Sequence, residues 1–186
     1  MHAVHLNLEE IDLLARHGAS VAHCPSSNLK LASGIAPVAQ LLAAGVNVGL
    51  GTDGAASNNR LDMFAEMRLA ALLAKGASGD AQAMPAHAAL HAATLGGARA
   101  LGLDARIGSL LPGKAADLAA IDLRGPELQP IFDPVSHLVY AAGREHVTDV
   151  WVAGQRVVNA LQFARLDLPR LESSARVWQN RLRNQV

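Results

Sequence analysis

The first part of the sequence predicts an α/β fold, a parallel sheet wrapped by helices. Two observations carry this. Segments with the apolar character of strands alternate with segments of helical spacing, in the order strand, helix, strand, helix, strand, as a parallel sheet requires. The last of these strands, Val46-Asn47-Val48-Gly49-Leu50, runs directly into Gly51-Thr52-Asp53-Gly54. A carboxylate thus stands at the exit of a short apolar run, at the mouth of a barrel or sheet. Glycines on both sides let the backbone turn sharply and let a ligand come close, and the C-terminal ends of such strands are where barrel enzymes place their chemistry.

Each element can be justified in order. Met1-His2-Ala3-Val4-His5-Leu6 reads as the end of a strand carrying His2. Asn7-Leu8-Glu9-Glu10 opens a helix, with an Asn cap and an acid three residues later, and Ile11, Leu13 and Leu14 form its apolar face until Gly18 stops it. Ala19 to His23 is a strand, followed by a turn and a polar loop through Leu31. Pro37 to Ala44 is a helix ending at Gly45, and Val46 to Leu50 the next strand. Beyond Asp53, Leu61 to Lys75 is a long helix with apolar residues at Leu61, Phe64, Ala65, Leu69, Leu72 and Leu73, and Gly76 to Asp80 a loop. Ala86 to Leu95 is helical, with helical packing continuing to Leu101. The character then changes. Ile107 to Asp122 reads as a hairpin turning at Pro112-Gly113, Pro134 to Ala142 as a helix, and Val147 to Val158 as a hairpin turning at Ala153-Gly154-Gln155. Pro169 to Arg183 is a surface helix rich in Arg. The expected units are 1–104, 105–162 and a terminal helix within 163–186.

Bulk properties exclude several classes of function. The chain has 186 residues, 51% of them apolar, enough for a substantial core. Lys plus Arg and Asp plus Glu number 16 each, the net charge is zero, and no basic run points to nucleic acid. Apolar stretches are broken before the roughly 18 to 20 residues that a membrane span requires, so a soluble, cytoplasmic protein with no membrane partner is expected. Cys24, the single cysteine, allows no internal disulfide and fits a reducing compartment. It reads as a buried structural thiol.

Taken singly, the polar residues leave alternatives open. Asp is a favoured helix N-cap, and a lone Thr-Asp-Gly reads first as that. A lone His2 reads as an exposed imidazole. Ser57, Asn58 and Asn59 either cap the helix near Leu61 or contact a substrate. His87 and His91 are four residues apart but have no Glu between them in the metalloprotease arrangement, and belong to a helix surface. His5, His17, His137 and His146 have no partner spacing that compels a site.

The segments together say more. His23-Cys24-Pro25-Ser26-Ser27-Asn28-Leu29-Lys30-Leu31, then Gly34-Ile35-Ala36-Pro37-Val38, then Gly51-Thr52-Asp53-Gly54-Ala55-Ala56-Ser57-Asn58-Asn59 resemble the last barrel strands of the amidohydrolase superfamily. The likeness is to its branch of adenosine-type and triazine deaminases and chlorohydrolases, and runs from His2 to about Val158. It implies the C-terminal portion of a (β/α)8 TIM barrel, plus part of a small β-sandwich in which Gly108-Ser109-Leu110-Leu111-Pro112-Gly113-Lys114-Ala115-Ala116-Asp117-Leu118 falls. It implies zinc as cofactor and hydrolytic deamination of an adenine nucleoside, such as 5-methylthioadenosine or S-adenosylhomocysteine, as activity. Asp53 matches the family's last metal ligand, which also takes the proton from the attacking water. His2 matches the histidine that polarises the hydroxide and stabilises the tetrahedral intermediate, so both residues fall at the substrate. His23 and Asn28 are expected to support the pocket rim by hydrogen bonds.

The family's first-strand His-x-His pair and its fifth-strand His with a Glu three residues later are absent. A zinc site takes three or four protein ligands, so the expectation is the C-terminal part of a longer enzyme, inactive alone, with a small-molecule nucleoside as partner and a homo-oligomer possible in the complete protein. The competing expectations are a different ring amidohydrolase of triazine, guanine or chlorohydrolase type, and a non-catalytic interaction module using Arg170, Arg176, Arg181 and Arg183.

Overall fold

A computed structural model describes residues 1–183. Helix α1 (Leu8–Arg16) opens with the expected capping box, the Asn7 side chain accepting from the Glu10 amide and the Glu10 carboxylate from the Asn7 amide. Strand β1 (Ser20–His23) pairs in parallel with β2 (Asn47–Leu50), from Ser20 opposite Asn47 to His23 opposite Leu50. Between them lie α2 (Pro25–Lys30) and α3 (Val38–Ala43). Ile11, Val21, Leu41, Val46 and Val48 form the apolar layer beneath this pair. The α/β expectation holds here.

Helix α4 (Met63–Ser78) buries Met67, Ala70, Ala71 and Ala74 against α3, α5 (Ala86–His91) and α7 (Pro134–Tyr140). Small alanines let these helices approach closely. After α5 the chain passes through a π-turn (Ala92–Gly96) into α6 (Gly97–Ala100), pressed on the open side of β2. Side chains would not fit there, since a Cβ on Gly96 would stand 2.5 Å from the Val48 carbonyl oxygen and one on Gly49 2.9 Å from the Gly97 Cα.

The second sheet runs β3 (Leu118–Ile121), β4 (Val147–Val152), β5 (Gln155–Asn159), β6 (Gln162–Phe163), all antiparallel. The β4–β5 turn falls at Ala153-Gly154 as expected, with φ of 48° and 77°. Positive φ at both central residues is the hairpin turn whose twist matches its strands. Helix α8 (Leu168–Arg183) follows and buries none of its residues.

Several expectations are corrected. Met1 to Leu6 is not a strand: His2 and Ala3 have φ of 67° and 52°, which breaks an extended run, although the His2 amide still donates to the Ala22 carbonyl. The loop after His23 is helix α2, because Pro25 at its first position presets φ. Helix α4 continues through Gly76 and ends at Gly79, whose φ of 69° makes the left-handed cap. The hairpin over Ile107 to Asp122 does not form. Its first arm is a series of turns held by Lys114, whose ammonium donates to the carbonyls of Asp104 and Ile107, and only Leu118–Ile121 becomes a strand, paired with the distant β4.

Candidate functional site

The C-terminal ends of β1 and β2 point the same way, and the residues that leave them meet. Asp53, three residues beyond β2, has a φ of 60°. Asp tolerates this region better than most residues. Its Oδ2 accepts hydrogen bonds from Ser27 Oγ at 2.6 Å and Ser57 Oγ at 2.8 Å. These two hydroxyls, then the Gly54 amide and the nearby His2, hold the carboxyl down to about 2, so it is an anion at any working pH. Among the described residues both side-chain donors to Asp53 are on Oδ2, and none is on Oδ1.

His2 lies beside it, Nε2 3.8 Å from Asp53 Oδ2. Its Nδ1 is 2.8 Å from Asn28 Oδ1. An amide oxygen can only accept, so His2 carries its neutral-state proton on Nδ1 and turns Nε2 toward Asp53. His2 and Asp53 are therefore brought together, both at left-handed backbone positions that persist only where surrounding structure determines them.

His23, at the end of β1, is buried, and its Nδ1 has no hydrogen-bond partner among the described residues. Burial, then the neighbouring His2, push its pKa down to about 4, so it is a neutral ring. Among the described residues, Nδ1 of His23 thus gives the rim no hydrogen bond. Asn28 does provide such support, through His2, while its own Nδ2 is buried without a partner. Cys24 is a buried thiol, raised in pKa by burial and by the Asp53 and Glu66 carboxylates, as expected of a structural cysteine. His87 and His91 are both exposed on α5.

Ser57, Asn58 and Asn59 do not cap α4. Asp62 does, accepting from the Phe64 and Ala65 amides, because it is the residue that directly precedes the first turn. Ser57 instead grips Asp53, and Asn58 donates to the Thr52 carbonyl at 2.9 Å and to Glu66 Oε1 at 2.7 Å. Sequence reasoning alone misses Ser27, Asn58 and Glu66 as supports of the Asp53 and His2 pair. Glu66 carries a signal: it falls four residues from Ala70 and one from Met67, on the buried stripe of α4, where an acid is out of place.

Among the described residues, no three or more His, Cys, Asp or Glu side chains gather into a metal-holding group. Asp53 with His2 is a partial donor set, one anionic oxygen and one imidazole nitrogen, that fits part of a zinc site and cannot complete one. A separate depression of about 410 Å³ lies between α4 and the segment that follows α7, lined by Arg60, Phe64, Arg68, Ala142 and Glu145, and does not include Asp53. No helix of the described residues is long and apolar enough to cross a membrane.

The chain is similar to several known proteins. The chain is 51% identical over 184 residues to the 5-methylthioadenosine/S-adenosylhomocysteine deaminase of Teredinibacter turnerae, covering 97% of the chain and 42% of that protein. It is 57% identical over 166 residues to the protein of the same name from Moorella thermoacetica, covering 89% of the chain and 39% of that protein. The chain thus spans about two fifths of these relatives. Among solved structures, a zinc-bound adenosine deaminase from Xanthomonas campestris superposes with a TM-score of 0.97 at 52% identity, over 98% of this chain and 42% of that one. A zinc complex of atrazine chlorohydrolase from Arthrobacter aurescens gives 0.88 at 33% identity, over 95% and 39%. The profile of the amidohydrolase family matches residues 1–157, and the chain belongs to that family.

Proposed function

We propose that this chain is the C-terminal part of a zinc-dependent aminohydrolase that removes the exocyclic amine of an adenine nucleoside, 5-methylthioadenosine or S-adenosylhomocysteine, releasing ammonia and the inosine analogue. The observation that carries the reading is the pairing of Asp53 with His2 at the exits of the parallel strands, in a chain at least half identical to deaminases of that name. In this reading the unit within 1–104 is the last portion of a barrel, 105–162 is part of a β-sandwich, and the terminal unit carries helix α8 (Leu168–Arg183), the rest of the expected 163–186 helix beyond Arg183 lying outside the described residues.

In this reading Asp53 would be the metal ligand that this chain contributes, and the remaining ligands and the general acid would come from elsewhere in the complete protein. Bound zinc supplies a water acidic enough to attack at neutral pH. The serine bonds to Oδ2 keep Asp53 anionic, which suits a ligand. The same bonds hold its pKa down, so it is a weak base toward the water's proton. His2 is held by Asn28 so that Nε2 faces the reacting position, where it accepts a hydrogen bond when neutral and stabilises developing negative charge when protonated. In this reading the residues that read the nucleoside's tail lie mostly upstream of this chain. A triazine or other ring amidohydrolase is the weaker reading, at 33% rather than 52% sequence identity to the solved structures.

The test is an ultraviolet assay with methylthioadenosine, with metal analysis, on the protein as its own gene encodes it. Asp53→Asn is expected to lower kcat by about 10² to 10⁴-fold, since an amide cannot take the water's proton, and to reduce bound zinc. His2→Gln is expected to lower kcat while zinc content holds. Equal loss of metal and rate in the His2 variant would make it a ligand instead. Residues 1–186 alone are expected to show neither turnover nor stoichiometric zinc, and an enzyme-like rate from them would overturn the fragment reading.

A further inference from the structure

Glu66 is a buried carboxylate that the chemistry above does not use. Its relative exposure is 1%, and it projects from the first turns of α4 toward the strand exits. Each of its oxygens has a different partner. Oε2 accepts from the Ser26 amide at 3.1 Å, and Oε1 from Asn58 Nδ2 at 2.7 Å. The first bond holds the start of α2, and the next two residues of that helix are Ser27, bonded to Asp53, and Asn28, bonded to His2. The second holds Asn58, whose amide also grips the Thr52 carbonyl, one residue before Asp53, and whose neighbour Ser57 is the other hydroxyl on Asp53.

From this geometry we infer that Glu66 is a positioning residue for the Asp53 and His2 pair, a brace that fixes the α2 start and the Asp53 loop relative to each other. The inference rests on the function proposed above for the meaning of that pair, but not for the brace. A carboxylate is suited to it because it offers two acceptor oxygens and no donor, matching two donors that converge from the start of α2 and from the Asp53 loop. Glutamine has the same shape and a single acceptor oxygen, so one of those donors would face an N–H₂ group. A misplacement of about 1 Å at a reacting group costs on the order of 10²-fold in rate.

Glu66→Gln in the full protein is expected to lower kcat with methylthioadenosine about 100-fold with KM little changed, and to speed amide hydrogen exchange from Thr52 to Asn58. A lowered melting temperature would accompany this, so a second variant separates positioning from folding. Val139→Ala, buried on α7 away from Asp53 and His2, is that variant: it should lower the melting temperature while kcat stays within threefold of the parent and the Thr52 to Asn58 amides exchange as before. A kcat that falls in step with melting temperature in both variants would reduce Glu66 to a structural residue, as would a kcat within threefold of the parent in Glu66→Gln. Absence of turnover in the unmodified protein would instead defeat the proposed function, and the exchange of the Thr52 to Asn58 amides would still decide the brace.

Discussion

The two halves of the molecule are held together differently. In the first, Leu41, Ala70, Ala71 and Ala89 are wholly enclosed, and β1, β2 and α4 pack through layers of buried side chains. In the second, no residue of β3 to β6 or of α8 is fully buried, and the strands are joined by hydrogen-bonded ladders and tight turns. The candidate site lies in the packed half. Left-handed His2 and Asp53 need surroundings that over-determine them, and the layers beneath β1 and β2 supply the rigidity.

If that contrast is right, truncations should cost very different amounts. Leu41→Ala empties a site with no solvent exposure among Ile11, Val21, Val46 and Val48 and should lower unfolding free energy by about 2–5 kcal/mol in urea denaturation. Leu171→Ala, on the exposed α8, should change it by about 0.5 kcal/mol or less. Comparable losses at both positions would mean that α8 is covered in solution and that the contrast is false.

A second difference is in the response to acid. Buried His23 has a folded-state pKa near 4 against an ordinary value of 6.5, so the unfolded chain takes up the proton first as pH falls. Stability should be full above about pH 6.5 and decline toward pH 4, by at most roughly 3 kcal/mol. His23→Gln should flatten that slope. A slope that persists in the variant would place the sensitivity elsewhere, and amide exchange in β3 to β5 should not share it.

The packed half was also the more legible one, within limits. Asn7 and Glu10 announce α1 because their side chains close the cap themselves, and β1, α3 and β2 follow from apolar spacing and the glycines at 18 and 45. Asp53 stood out because glycines flank it. The backbone of His2 and Ala3 did not, because a left-handed non-glycine residue leaves no mark in side-chain chemistry. Pro25 is compatible with a turn and with a first helical residue, and the polar residues after it tipped the reading toward a loop. Pro112-Gly113 signals a turn truthfully, but a turn becomes a hairpin only if its flanks pair, and Leu118–Ile121 pairs with β4 instead. Glu66 was passed over because an acid on a helix is solvated by default, and its two partners, in the first turn of α2 and in the Asp53 loop, are 40 and 8 residues away.

The smallest expected effect probes the turns that organise the unpacked half. Ala153 holds a φ of 48° at the first central position of the β4–β5 turn, with Gly154 at 77° after it. A left-handed alanine costs about 1–2 kcal/mol relative to its preferred backbone, whereas Asn visits this region readily and Asn-Gly is the favoured pair for such a turn. Ala153 is exposed, so the new side chain meets no packing, and only its backbone N–H is engaged, by Asp117. Ala153→Asn should therefore slow amide exchange in β4 and β5 by an amount equivalent to about 0.5–1 kcal/mol, while the exchange of β1 and β2 stays as it was. Equal protection of both sheets would show that they unfold as one unit. No protection in either would show that the sheet's register is set by the Arg156 to Asp149 pair and the Trp151 stack rather than by its turn.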